Sequence, residues 1–336
     1  MARGRTWKAL VLVAAVVGGV LLVPSAASGS ATSVTKIGAW SRDWTWFNAN
    51  VGAVDVYRGY DGGFHYPTWQ QVPIALSQSK NHPGSMSDYS FQLPPADVAS
   101  GTDDAILQTF IASTPKNIVL TNYHEPEQEI EAGKFTFAQF RAAQVHLSYL
   151  VHQQNLVDGG TRKVSVVLMV STFTGFKGRN PVNYWPTTAE STAAFANPVD
   201  LISADVYAAP HATGTAGVPL GYTDGVNWKD PAKLMYPVVK FAKSNNSDWA
   251  VSELGYLEDV NNPTRKAQAL QAAVAAAEAG KPAATSPTYR PALWINYWDS
   301  IGGRADWELR YNNPPVPSQS ATSNAAVMWK TLVNQP

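Results

Sequence analysis

The chain has no cysteine among its 336 residues, so disulfides and thiolate-held metals are excluded and its core alone must hold the fold. Charge is sparse and balanced: 15% of residues are charged, with 25 Lys plus Arg against 25 Asp plus Glu. That composition provides no basic field for nucleic acid or an anionic membrane. Past the N-terminal segment, no apolar run approaches the roughly 20 residues needed to cross a bilayer. No Gly-x-Gly-x-x-Gly follows the first candidate strand, which argues against a dinucleotide crevice in a doubly wound sheet. Internal repeats and low-complexity blocks are also lacking. The proline-rich stretch 312–320 leads to a single helix and not to a second module.

The first 30 residues read as a secretion signal peptide. Arg3, Arg5 and Lys8 form a positive start, 9–23 is apolar, and small residues follow from Ser25 to Ala31, with cleavage expected near Ala27 to Ser30. A secreted, extracellular product without a membrane anchor is expected, since no cysteine follows the apolar run to carry a lipid. Residues 31–336 are then expected to form one domain, long enough to bury a large core.

Eight strand candidates occur in sequence, at 36–40, 54–57, 72–77, 117–123, 164–170, 201–206, 249–252 and 292–297. Helix signals lie between many of them. Thr136 with Gln139 forms a capping box with a Phe135–Phe140 staple, opening a helix that runs to about Gln154 and stops by Gly159-Gly160. Thr187 with Glu190 is a second box, before a helix ended by Pro198. Asp230-Pro231 and Asn262-Pro263 read as helix starts, the latter opening an alanine-rich helix over 264–280. Further helices are expected over 103–113 and 323–333, whereas 41–51 is short and only weakly helical. Strands alternating with helices mean parallel βα units, and eight of them imply an α/β fold of the (β/α)8 TIM-barrel type in a single domain.

Two glutamates stand just past short, partly β-branched runs. Glu125 follows Ile118-Val119-Leu120-Thr121-Asn122, and Glu253 follows Trp249-Ala250-Val251-Ser252. On a barrel, both would reach the C-terminal rim where active sites form. Two carboxyls converging there suit glycoside hydrolysis, one protonating the leaving oxygen and one attacking the anomeric carbon. Glu127 competes with Glu125 for the first role, whereas Glu129 and Glu131 are expected to face solvent.

His124-Glu125-Pro126 resembles the Asn-Glu-Pro signature of the clan A glycoside hydrolases, (β/α)8 enzymes that retain anomeric configuration. Histidine before the acid/base is similar to family 26, the β-mannanase family, and Ser252-Glu253-Leu254-Gly255 resembles that family's nucleophile segment. The likeness spans roughly 36–306. It implies Glu125, after the fourth strand, as acid/base and Glu253, after the seventh, as nucleophile. It further implies substrate-binding roles for Arg58, His124, Tyr207 and Trp298. Local chemistry is compatible with these: Arg58 can hold Glu253 ionised, Tyr207 can donate to it, Trp298 can floor the sugar, and His124 can meet the sugar's 2-hydroxyl. Trp185 is a candidate for an outer subsite. The tryptophan-rich segment of a β-mannanase is missing after Glu125, so the substrate stays open among β-linked mannan, glucan and xylan.

The other histidines (His65, His82, His146, His152, His211) have no metal-ligand spacing, and His-Glu-Pro-Glu is not the His-Glu-x-x-His zinc pattern. Asp55, Asp61, Asp205 and Asp299 do not form an EF-hand loop. No metal and no cofactor are expected. The expected partner is a polysaccharide or oligosaccharide, with no nucleic acid, and the protein is expected to be a monomer. The alternative from another class is a non-catalytic carbohydrate-binding or cell-surface barrel.

Overall fold

In the computed structural model, each of eight parallel strands pairs with its sequence neighbours, and the eighth returns to the first to close a barrel. The strands are β1 Lys36–Ser41, β2 Val56–Tyr60, β3 Met86–Phe91, β4 Ile118–Asn122, β5 Lys163–Val170, β6 Leu201–Tyr207, β7 Asp248–Gly255 and β8 Trp294–Asp299. The helices among the described residues are α1 Trp44–Asn50, α2 Pro73–Asn81, α3 Pro95–Ser100, α4 Asp104–Ser113, α5 Glu127–Glu131, α6 Phe137–Asp158, α7 Pro231–Asn245, α8 Arg265–Ala279 and α9 Asn324–Val333. The structure describes residues 35–170, 176, 179–190, 199–207, 228–259, 261–280, 288–299, 301–302, 305–306, 309 and 323–334. The expected signal peptide 1–30, the helix before Pro198, His211, Trp307 and the connection 312–320 lie outside them. No described helix is long and apolar enough to cross a membrane.

The expected third strand, 72–77, is instead the start of α2, with Pro73 at its first position. Proline pre-sets the helical φ and loses no bond there, so the short Val-Pro-Ile-Ala-Leu run enters a helix. The strand is Met86-Ser87-Asp88-Tyr89-Ser90-Phe91, buried along its whole length. Its polar half conceals it from a hydrophobicity search, because Asp88 and Ser90 point into the barrel and not into solvent, while Ser87 lies on the helix-covered face with Tyr89 and Phe91. Asp43 caps α1 by accepting from Trp46 N at 3.0 Å, so the weakly marked segment 41–51 does contain a helix. The Thr136–Gln139 capping box forms, with both reciprocal bonds present. Thr187 and Glu190 bond each other in the same way.

Strand alternation sorts the residues into an outer apolar layer against the helices and a stratified lumen. Val164, Val166, Leu168 and Val170 of β5 all join outer clusters. Inside, Val56, Met86, Val119, Leu201, Ala250 and Trp294, from six different strands, form an apolar floor. Two residues further along each strand, on the same face, stand Arg58, Asp88, Thr121, Ser203, Ser252 and Asn296. The lumen therefore turns from apolar to polar over one strand step toward the rim.

Gly38 fits this stratification because it has no side chain. A Cβ there would overlap Asn296 Oδ1 and lie 2.5 Å from the Val56 carbonyl oxygen. Asn296 is fixed in turn by donating to Asp88 at 3.0 Å. Gly38→Ala is accordingly expected to destabilise the barrel by about 1–3 kcal/mol through overpacking, read as a lower urea midpoint with an unchanged slope.

Candidate active site

Above the polar layer, the strand ends bring four carboxyls toward one guanidinium. Arg58 is 1% exposed, and Asp88 and Asp205 are fully buried. Arg58 NH1 donates to Ser90 Oγ at 2.7 Å and to the Gly59 carbonyl at 2.6 Å, while NH2 donates to Glu253 Oε1 at 3.2 Å. Asp88 Oδ2 lies 3.9 Å from Arg58 Nε and accepts from Trp294 Nε1 at 3.1 Å. Burial opposes the Arg58 charge, but Asp88, Glu253 and Asp205 outweigh it and raise the pKa above its ordinary value. The cation is permanent.

Glu253 lies inside β7 and not beyond it, and simple alternation would turn it the wrong way. Trp249 and Val251 belong to the outer core and Ala250 to the floor, so position 253 has outward parity. The pairing explains the reversal. Ala204 pairs with Val251 but Asp205 pairs with Glu253, leaving Ser252 as an extra residue. The β7–β8 register slips over the same segment, between Val251 and Leu254. A bulge of this kind re-aims a side chain. Ser252 Oγ lies 2.7 Å from Ser203 Oγ, and Glu253 faces the lumen, where Tyr207 donates to its Oε2 at 2.5 Å.

Glu125 is positioned by backbone strain. Tyr123 and Glu125 have φ of 59° and 50°, left-handed values that side-chain-bearing residues rarely adopt. Such residues cost on the order of 1–3 kcal/mol each and persist where surrounding structure enforces them. Here Tyr123 N donates to the Phe91 carbonyl at 2.8 Å and Glu125 N to the Val167 carbonyl at 3.1 Å, tying the turn to both neighbouring strands. The Tyr123 ring also packs on Phe135, with centroids 4.7 Å apart.

Carboxylate oxygens of Glu125, Asp205 and Glu253 all lie within 4.8 Å of one another. Burial, then repulsion from Glu253 and Glu127, pushes the Glu125 pKa up to about 8. Burial also raises Glu253, but the Arg58 charge and the Tyr207 hydroxyl pull it back. The negative charge of the pair therefore rests on Glu253, and Glu125 keeps its proton at neutral pH. Asp205, raised well above its ordinary value by burial and by Glu253 and Glu125, stands beside Glu125 as a neutral acid. Tyr207 is held well above its usual value, first by burial, and remains a donor. Three carboxyls so close could share a cation, but the Arg58 guanidinium already occupies Glu253 Oε1.

His124 is pushed down to about 3 by burial and by Arg58, so its imidazole is neutral. Its Nδ1 is buried without a protein partner among the described residues. Trp298 is half-buried and stacks on Trp40, its register partner on β1, with centroids 4.2 Å apart and planes 14° apart. Glu127 is 2% exposed and accepts from Met169 N at 2.7 Å, which binds the loop after β4 to β5. Glu131 pairs with Arg179 at the surface, and Glu129 lies 3.8 Å from Lys134. Trp185 is set apart from the cluster: its ring lies edge-on to Phe241 of α7 at 5.6 Å, on the helical layer outside the barrel. Tyr184, beside it, is buried against Phe137 and Phe140.

Asp205 is the site member that sequence reasoning missed. A carboxyl within the apolar run Leu201–Tyr207, two residues before a rim tyrosine, was the available signal, since positions 205 and 207 share a face.

No family model and no curated protein matches the chain. Several solved structures resemble it. A glucosidase from Croceicoccus marinus is 13% identical, with 89% of this chain and 69% of that one covered at a TM-score of 0.50. A beta-glycosidase from Pyrococcus horikoshii is 12% identical, with 88% of each chain covered and a TM-score of 0.46. A beta-glucosidase from Exiguobacterium marinum is 11% identical, covering 87% and 86% at 0.48. At such identity, the likeness to the Croceicoccus protein establishes the shared (β/α)8 fold alone.

The electrostatic arrangement can be checked directly. In Glu253→Gln the repelling charge is gone, so the Glu125 carboxyl should titrate below its present value of about 8, toward the ordinary glutamate range. Carbon-detected NMR of labelled glutamate side chains would follow it; an unmoved titration would show that Glu253 is not the source of the shift.

Proposed function

We propose that this protein is a glycoside hydrolase that cleaves β-linked polysaccharide with retention of configuration, using Glu253 as nucleophile and Glu125 as general acid and base. One observation carries the reading. The two carboxyls have oxygens within 4.8 Å, yet one is bonded to a guanidinium and a phenol, and the other is kept protonated by burial and by the carboxyls around it. Oxygens that close are compatible with the roughly 5–5.5 Å carboxyl separation of retaining enzymes and favour it over the roughly 6.5–9.5 Å that an inverting enzyme needs for water. Environments that separate two carboxyl pKa values assign acid and base.

In the first step an ionised Glu253 oxygen attacks the anomeric carbon, while Glu125 transfers its proton to the leaving glycosidic oxygen. A glycosyl ester and a free hydroxyl result. Esterification removes the Glu253 charge, so Glu125, now a carboxylate, is no longer opposed by it. Glu125 then takes a proton from water as the water oxygen attacks the anomeric carbon and the Glu253–carbon bond breaks. Both carboxyls return to their starting states. The Arg58 and Tyr207 hydrogen bonds restrain Glu253 throughout, and Asp205 gives Glu125 a neutral neighbour. His124, neutral and with a free ring nitrogen, is suited to the 2-hydroxyl, and Trp298, backed by Trp40, to the sugar's apolar face.

A passive binding barrel would have no use for this cluster. Burying several carboxyls around one cation is expensive in desolvation, and left-handed backbone at Tyr123 and Glu125 adds strain. Glutamates at β4 and β7, with arginine on β2, tyrosine ending β6 and tryptophan on β8, support membership of clan A, and His124 supports family 26. A glucosidase built on the same barrel accords with this reading. The substrate we propose is a β-linked mannan, glucan or xylan, for a monomer secreted by means of the segment 1–30.

The test is release of reducing ends from β-mannans, β-glucans and xylans. Glu253→Ala should abolish activity, and Glu125→Ala should lower kcat by about 10²–10⁴ on substrates with poor leaving groups. In the parent protein, kcat/KM should fall as pH rises through about 8, where Glu125 loses the proton it must donate. Full activity in either variant would overturn the assignment.

A further inference from the structure

Tyr60 differs from every other large apolar side chain that the described residues leave exposed. Ile74, Tyr149, Leu156, Val157, Tyr236 and Val327 lie on helices, and Val182 lies on a short 3-10 turn. Tyr60, at 41% exposure, stands at the end of a barrel strand. Alternation along β2 puts it on the same face as Arg58, one step nearer the rim and hence above the Arg58–Glu253 pair. Its ring meets His124 edge to face, with centroids 4.3 Å apart and planes at 88°, so its placement is set by the residue before Glu125. Its phenol senses both Glu253 and Glu125.

Trp298, Trp40 and Tyr60 come from β8, β1 and β2, which are consecutive around the closed barrel. One side of the rim is thus an aromatic arc. Trp40 is covered by Trp298, so the next open ring along the arc is Tyr60. Glu125 enters from β4, beyond the arc, and the group it protonates departs on its side. The arc is left to the non-departing part of the chain.

We propose that Tyr60 forms a subsite for a second sugar on the non-reducing side of the cleaved bond, making this protein selective for β-linked chains over single glycosides. The proposal rests on the hydrolase reading above for the direction of the chain. Flat, amphipathic and exposed at no backbone cost, the tyrosine ring suits the apolar face of a pyranose. Single glycosides would engage Trp298 and the carboxyls alone, whereas longer chains would gain the Tyr60 contact.

The experiment titrates the full-length parent protein, Tyr60→Ala and Tyr60→Phe with mono-, di- and trisaccharides of the β-1,4-glucose and β-1,4-mannose series. Tryptophan fluorescence reports binding, and initial rates on the matching aryl glycosides are measured alongside. The parent should favour the disaccharide over the monosaccharide by about five- to tenfold in Kd and kcat/KM, Tyr60→Ala should erase that preference with monosaccharide values unchanged, and Tyr60→Phe should keep it. Equal weakening at every length would mean that Tyr60 acts through His124, and would overturn the proposal. So would an unaltered length preference in Tyr60→Ala, or no saccharide binding by the parent. Loss of length-dependent binding without any turnover in the parent would uphold the subsite and remove the hydrolase reading instead.

Discussion

The site depends on one buried guanidinium. Arg58 stands in the barrel lumen with Asp88 beneath it, Glu253 beside it, and Asp205 and Glu125 within its field. Without a cation there, burial would hold all four carboxyls protonated, and none could act as an anion. With a single cation, only part of the negative charge is compensated, and competition among the carboxyls decides where it rests. Glu253 prevails because it alone combines a direct guanidinium bond with a phenol donor. Glu125 is left with its proton. The difference between two chemically identical side chains is therefore produced by which of them Arg58 touches.

The lumen is built to make that possible. Its floor is apolar and excludes water, and its middle layer consists of small hydroxyls, an amide and an aspartate, which leave room for a large cation and orient it. Gly38 supplies space that no other residue could. Aromatic and aliphatic clusters outside, between strands and helices, supply the bulk of the hydrophobic stabilisation. The interior is thereby relieved of that task and can hold polar groups at some expense of stability.

Both glutamates are presented by departures from regular structure. A bulge at Ser252 turns Glu253 inward against its own parity, and two left-handed residues aim Glu125. Such departures are tolerated here because a closed barrel over-determines its strands: each is paired on both edges, the turn at Tyr123 and Glu125 is tied back by backbone bonds to β3 and β5, and the bulged strand is held between β6 and β8. Rigidity elsewhere sustains strain at the rim.

Much of this was legible along the chain. β-branched runs separated by capping boxes, Asp-Pro starts and glycine stops report local energetics, and α6 with its Thr136–Gln139 box and Gly159 cap forms where those signals lie. The alternation of such units implied the barrel, and the barrel implied that Glu125 and Glu253 share a rim. The third strand was illegible because Asp88 and Ser90 face a polar lumen that only seven other strands create. The inward turn of Glu253 was likewise hidden, since a bulge is defined by the partner strands' register and not by β7 alone. Asp205 became a site member, and Trp185 a packing residue against Phe241, only once distant elements met. Apart from the third strand, local sequence determined which segments would be strands and helices, because propensity and capping act over a few residues. Which carboxyl is charged was decided by the closed barrel, because Coulomb energies depend on distances that only the tertiary structure sets.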